Sequence, residues 1–102
     1  MINVIIVDDH KVVTKGFEHL INESGVAQVT GKAYSVAECR NILAKIQADV
    51  LLLDINLPDG NGIDLCTEIK TEYPELKILM LTSYSELSTI SECWQTELRV
   101  IF

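Results

Sequence analysis

Apolar residues follow two rhythms along this chain, and the rhythms alternate. Residues 3–7 (NVIIV) form a short unbroken apolar run, the signature of a strand buried on both faces. Lys11–Glu23 then places Val12, Val13, Phe17, Leu20 and Ile21 at helical spacing, and Ser24-Gly25 closes that stretch. Ala27–Ala33 reads as a second strand. Ser35, with Glu38 three residues on, marks a helix start, and Val36, Cys39, Ile42, Leu43 and Ile46 share one face of the helix that follows. Residues 49–54 make a third strand, and Gly62–Glu72 a helix stopped ahead of Pro74. Residues 77–82 (KILMLT) make a fourth strand, and residues 85 to about 95 a fourth helix.

Strict strand–helix alternation implies a parallel sheet with helices on both faces. The expected fold is therefore α/β, a flavodoxin-like doubly wound parallel sheet of strand order 2-1-3-4. Such sheets carry their functional groups at the carboxyl ends of the strands. Here strand one ends in Asp8-Asp9, strand three in Asp54 and strand four in Thr82-Ser83. In the order 2-1-3-4 these ends converge.

Composition narrows the chemistry. The 102 residues suffice for one domain, and 48% hydrophobic with 23% charged residues is ordinary globular material. A formal charge of −7 argues against direct nucleic-acid binding, which needs a basic face, and is compatible with a divalent cation. Residues 1–7 are too few to span a membrane and lack the layout of a signal peptide, so a cytoplasmic location is expected. Cys39, Cys66 and Cys93 have no C-x-x-C spacing and are odd in number, which favours thiols in a reducing compartment.

Three carboxylates at converging strand ends repel one another unless a cation intervenes. A hard divalent ion fits an all-oxygen donor set, and Mg²⁺ suits a site with few protein ligands and several retained waters. Asp9 and Asp54 are the expected side-chain ligands, with the backbone carbonyl of Asn56 beside them and Asp8 one step back or joined through water. A carboxylate next to Mg²⁺ can also attack a phosphoryl group, and Thr82 would then donate its hydroxyl to a phosphoryl oxygen on Asp54. His10 is a candidate ligand or phosphate donor, although a helix-start or surface role is the commoner one. Gly60-Asn61-Gly62 lacks the third glycine of a dinucleotide fingerprint and reads, with Pro58, as a turn beside the site. Partial burial accounts for Tyr84.

"IIVDDH" at 5–10, "LLLDINLPDGNGIDL" at 51–65 and "ILMLTSY" at 78–84 together resemble the receiver domain of bacterial two-component response regulators. Asp-Asp-His is most similar to the subfamily whose full-length members add a helix-turn-helix DNA-binding domain. The resemblance implies that Asp54 is the phosphoacceptor, that Asp8 and Asp9 are the acidic metal-site pair, and that Thr82, with Ser83 beside it, is the switch hydroxyl. It implies Mg²⁺ as cofactor, a histidine kinase or phosphotransfer protein as partner, and a signalling role in place of turnover of an external metabolite. DNA would be met only by an output domain, which is not part of residues 1–102, and no membrane is involved.

The resemblance covers residues 1 to about 92. Members of the family carry a fifth strand ending in a lysine and then a fifth helix; that catalytic lysine is expected about two positions past Phe102, so none is assigned in this chain. One permitted coding of residues 93–102 (CWQTELRVIF), read with its first two bases dropped, gives Leu-Ala-Asn-Gly-Ala-Ser-Gly-Tyr-Ile, the family's approach to strand five. Residues 93–102, with Trp94, are accordingly expected to be an atypical tail produced by a frame slip in a longer regulator. Strand five is then missing, or replaced by the β-prone RVIF at 99–102, and there is no fifth helix. An uncovered sheet edge and face lead to an expectation of self-association, as a homodimer or by exchange of elements.

Two rivals remain in view at this level. A small Mg²⁺-dependent phosphohydrolase with an aspartyl-phosphate intermediate commonly has an Asp two residues after its nucleophile, where this chain has Asn56. A non-switching interaction fragment would keep the fold and lose the chemistry.

Overall fold

The computed structural model describes residues 1–81 and the backbone of residues 99–101. The elements run β1 (Ile2–Val7), α1 (Lys11–Glu23), β2 (Ala27–Ala33), α2 (Val36–Lys45), β3 (Val50–Asp54), β4 (Asn56–Leu57), β5 (Gly60–Asn61), α3 (Gly62–Glu72), β6 (Lys77–Leu81) and β7 (Arg99–Ile101). The main sheet has order β2-β1-β3-β6-β7, with every described pair parallel. Its first four strands are the expected order 2-1-3-4. Arg99–Ile101 pairs with Leu79–Leu81, filling the fifth place with part of the tail. The expected helix at 85–95 lies outside the described residues, as do Thr82, Ser83, Tyr84, Cys93 and Trp94.

Strand alternation sends side chains to two cores. Ile5, Val7, Leu51, Leu53, Ile78 and Met80 face α2 and α3, where Val36, Cys39, Leu43, Ile63, Cys66 and Ile69 meet them. Val4, Ile6, Leu52 and Leu81 face the other way and pack with Phe17 and Ile21 of α1. Helices thus lie on both faces of the sheet. In β2 the alternation changes phase: Val4 pairs with Val29 but Ile5 pairs with Gly31, so Thr30 is the extra residue of a bulge. Val29 therefore points toward α1, while position 31 faces α2, where a side chain would strike Ile42.

Several local expectations hold and others need correction. Ser35 caps α2 by accepting the Glu38 N–H at 3.1 Å, and Glu38 in turn accepts the Tyr34 N–H. Ile46 sits just past the last helical residue as C-cap and still packs on the core. On α1 the boundaries agree and the buried face does not. Val12 is 84% exposed and Leu20 67%, whereas Thr14 is fully buried and bonds the Lys11 carbonyl through its hydroxyl. A helix with apolar residues around much of its circumference fixes the spacing but not the phase of its buried stripe. Strand three starts at Val50, one residue later than expected, and strand one at Ile2, one earlier. Pro58 with Gly60-Asn61-Gly62, expected as a turn, belongs to a small antiparallel hairpin, with Asn56 opposite Asn61 and Leu57 opposite Gly60, that runs into α3 at Gly62.

Candidate functional site

Two buried strands deliver the acidic groups. β1 ends in four buried residues, Val4 to Val7, and Asp8 continues the ladder by donating its N–H to the Ala33 carbonyl at 3.0 Å. That anchors Asp8 in a buried position at the strand end, with Asp9 exposed next to it. β3 carries Leu51, Leu52 and Leu53 into the core and leaves Asp54 half-buried at its tip. Asp54 pairs in register with Leu81 of β6, so β6 ends beside the acidic group. Thr82 and Ser83, the expected switch residues, follow Leu81 and lie outside the described residues.

The structure brings Asp8, Asp9 and Asp54 together and adds His10. One ligand atom from each of the four lies within 4.8 Å of the others. His10 is the N-cap residue of α1, as its helix-start reading requires, yet its ring turns back to the acids. Its Nδ1 is 2.8 Å from Asp8 Oδ1, 3.1 Å from Asp9 Oδ1 and 3.8 Å from Asp54 Oδ2. A second bond joins the His10 backbone N–H to Asp8 Oδ1 at 2.8 Å. The hydrogen bond to Asp8 and the charges of Asp9 and Asp8 raise the imidazole's pKa above its ordinary value.

Asp54 carries the electrical cost of the arrangement. Burial pushes its carboxyl up to about 6; the Asn56 N–H, donated to Oδ1 at 3.2 Å, opposes that, and the neighbouring Asp8 and Asp9 charges add to it. The donor set is oxygen-rich, crowded and short of positive charge, which are the conditions under which a hard divalent cation binds. Asp8, Asp9 and Asp54 therefore fit Mg²⁺.

The segment after Asp54 is built closely around it. Gly62, the first residue of α3, donates its N–H to the Ile55 carbonyl at 2.7 Å. A Cβ at position 62 would run into the Asp54 carbonyl oxygen and the Ile55 Cα, so only glycine lets α3 start this near the acidic strand end. Asn61 caps α3 by accepting the Ile63 N–H at 2.7 Å. Asp59, not singled out in the sequence, reaches α2: its Oδ1 accepts the Val36 N–H at 2.7 Å and its Oδ2 the Ala37 N–H at 3.1 Å. No local pattern announces that contact, because its partners lie 22 and 23 residues away. The His10 contact had a visible signal, an imidazole directly after Asp8-Asp9 at a strand end.

A parallel sheet with an acidic cluster at its carboxyl edge, and a carboxylate at the tip of the central strand, is the architecture of a signalling domain of the receiver type. The chain belongs to the response regulator receiver domain family, whose sequence profile matches residues 4–101. It is the receiver part of a two-component response regulator. Among its relatives, the DNA-binding transcriptional activator DevR/DosR of Mycobacterium tuberculosis is 44% identical over 85 residues, covering 83% of this chain and 39% of that protein. The response regulator protein VraR of Staphylococcus aureus is 33% identical over 85 residues, covering 83% of this chain and 41% of that protein. The isolated REC domain of RcsB from Salmonella enterica serovar Typhimurium, solved with the phosphomimetic BeF3⁻, superposes with a TM-score of 0.90 at 30% identity. That superposition covers 99% of this chain and 76% of the RcsB chain. The chain thus spans about two fifths of the length of the curated relatives it matches.

Proposed function

We propose that Asp54 accepts a phosphoryl group from a histidine kinase or phosphotransfer protein, with Mg²⁺ held by Asp9, Asp54 and the Asn56 carbonyl and with Asp8 supporting them. The observation that carries this reading is the position of Asp54, half-buried at the tip of the central strand β3 with Asp8 and Asp9 against it. With its pKa near 6, Asp54 is mostly ionised at neutral pH and can act as the nucleophile. A carboxylate oxygen forms the new O–P bond as the donor's P–N bond breaks, and the donor imidazole keeps the departing electron pair. The cation, when bound, offsets charge on the transferring oxygens. Asp9, Asp54 and the Asn56 carbonyl would hold that cation with Asp8 behind them, and the Thr82 hydroxyl, with Ser83, would donate to the phosphoryl oxygens.

Catalysis in this reading is limited to the domain's own phosphorylation and dephosphorylation. In this reading the charge on the phosphoryl group is stabilised by Mg²⁺, with Thr82 and backbone amides. Output to transcription, and the contact with DNA that it requires, belong to parts of the regulator beyond this receiver. Among the described residues no helix is long and apolar enough to cross a membrane. Self-association is supported by the exposed Val12, Val13 and Leu20 on α1 and by a relative, RcsB, solved as dimers on DNA.

Incubation with acetyl phosphate and Mg²⁺, followed by intact-mass analysis, tests the proposal. One phosphoryl group should be gained, none in Asp54→Asn or without Mg²⁺, and much less in Asp9→Asn. Labelling that persists in Asp54→Asn would refute the assignment.

A further inference from the structure

The β4–β5 hairpin follows directly on Asp54, and the protein fixes it at both ends. At its base the Asn56 N–H bonds Asp54 Oδ1 at 3.2 Å, and the Gly62 N–H bonds the Ile55 carbonyl at 2.7 Å. Its tip is Pro58-Asp59, between Leu57 and Gly60 of the paired strands. From that tip the two Asp59 oxygens each take one of the first two amide N–H groups of α2, at 2.7 and 3.1 Å. These bonds hold the Asp59 carboxyl below the usual carboxylate range. The helix has its own local cap in Ser35, so it does not depend on a residue 23 positions away to begin. A two-oxygen clasp between a loop and a neighbouring helix is a fixture for the loop.

We infer that Asp59 is a positioning residue for the acidic site: by clasping the Val36 and Ala37 amides it pins the hairpin tip, and thereby holds Asn56 in register beside Asp54. This rests on the proposed Mg²⁺ site, because the Asn56 carbonyl is the ligand whose placement the clasp governs. Removing a group that orients a ligand from behind typically weakens metal binding by about tenfold or more. Asp59→Ala frees the tip and leaves the three acidic side chains and His10 unaltered. Ser35→Ala removes the other cap of the same helix end and leaves the clasp intact, so it reproduces the loss of helix stability without the loss of positioning.

Calorimetric titration of Mg²⁺ into the full 102-residue chain, with thermal melts and amide NMR spectra of each variant, separates the two. Asp59→Ala should weaken Mg²⁺ binding about tenfold and move the Asn56 amide resonance. Ser35→Ala should lower the melting temperature and leave both Mg²⁺ affinity and the Asn56 amide unchanged. Asp59→Asn, with one acceptor oxygen left for two N–H groups, should fall between, roughly threefold weaker than the parent, and supplies the decisive measurement if Asp59→Ala does not fold. Equal Mg²⁺ affinity in the parent and the folded Asp59 variants overturns the inference and leaves the functional reading standing. A parent that shows no saturable Mg²⁺ binding overturns both.

Discussion

Asp54→Asn should stabilise this domain at neutral pH in the absence of metal, although it removes the proposed phosphoacceptor. The carboxyl is raised from 3.8 to about 6, chiefly by burial. A group whose folded pKa is raised binds its proton more tightly when folded, so ionising it works against the fold. Stability is therefore lost as pH climbs from near 3.8 toward about 6, and the penalty is complete above that window. Two pKa units correspond to about 3 kcal/mol as a ceiling. The side chain keeps 14% of its surface in water, and solvent screening lowers the net effect to about 1–2 kcal/mol. For a domain of this size that is on the order of 5–10 °C in Tm. Asn keeps a carbonyl oxygen for the Asn56 N–H and carries no charge. Urea melts of parent and variant in EDTA, at steps from pH 4 to 7.5, give the difference in stability directly. It should be near zero at the acid end and plateau above pH 6 in favour of Asn. His10, whose pKa is raised above 6.5, acts in the same direction in a separate window: its stabilisation is present below 6.5 and lost as pH rises through the folded value. Saturating Mg²⁺ should remove most of the parent's deficit, since it binds the folded state alone. A pH-independent difference, or an Asn variant less stable than the parent at pH 7, would refute the electrostatic account.

Two other perturbations follow from the same geometry. Gly62→Ala forces a methyl group against the Asp54 carbonyl and the Ile55 Cα, and should cost roughly 1–3 kcal/mol by urea denaturation while weakening Mg²⁺ binding. Glu68→Gln breaks a two-bond ion pair with Arg40, at 2.7 Å for each bond, that bridges α2 and α3. Both partners lie in water, so the urea midpoint should barely move and the small change should vanish in high salt.

The sheet order was legible because each strand is an apolar run bounded by polar or turn residues, and the crossovers then allow few arrangements. The end of α1 at Ser24-Gly25 and the Ser35 cap of α2 were legible too, since capping chemistry is local. What escaped was either phase or distance. Val12, Val13 and Leu20 satisfy a helical period as well as Phe17 and Ile21 do, and only packing on the sheet chose between them. The strands of two residues at Asn56–Leu57 and Gly60–Asn61 are shorter than any periodicity can register. The bulge at Thr30 leaves no mark in hydropathy. At the site, Asp8, Asp9 and Asp54 could be grouped from sequence because strand ends converge in this topology. The Asp59 clasp could not, being a side-chain contact between distant segments.

The same core that makes the fold legible explains why the acidic site must be relieved by ions. Ile5, Val7, Leu51 and Leu53 are fully buried, and they fix the two strands from which Asp8 and Asp54 project. Separating those carboxylates would mean shearing β1 against β3 and opening packed apolar surface; truncating a single such leucine already costs about 2–5 kcal/mol. Proton uptake on Asp54 costs less near its pKa of about 6, the His10 imidazole already lies against the three acids, and the proposed divalent cation would offset their charge further. Repulsion held in place by a rigid core is therefore converted into affinity for cations and protons. A change of charge at Asp54, such as protonation, thus changes the domain's free energy through a carboxylate that the packed strands hold in place.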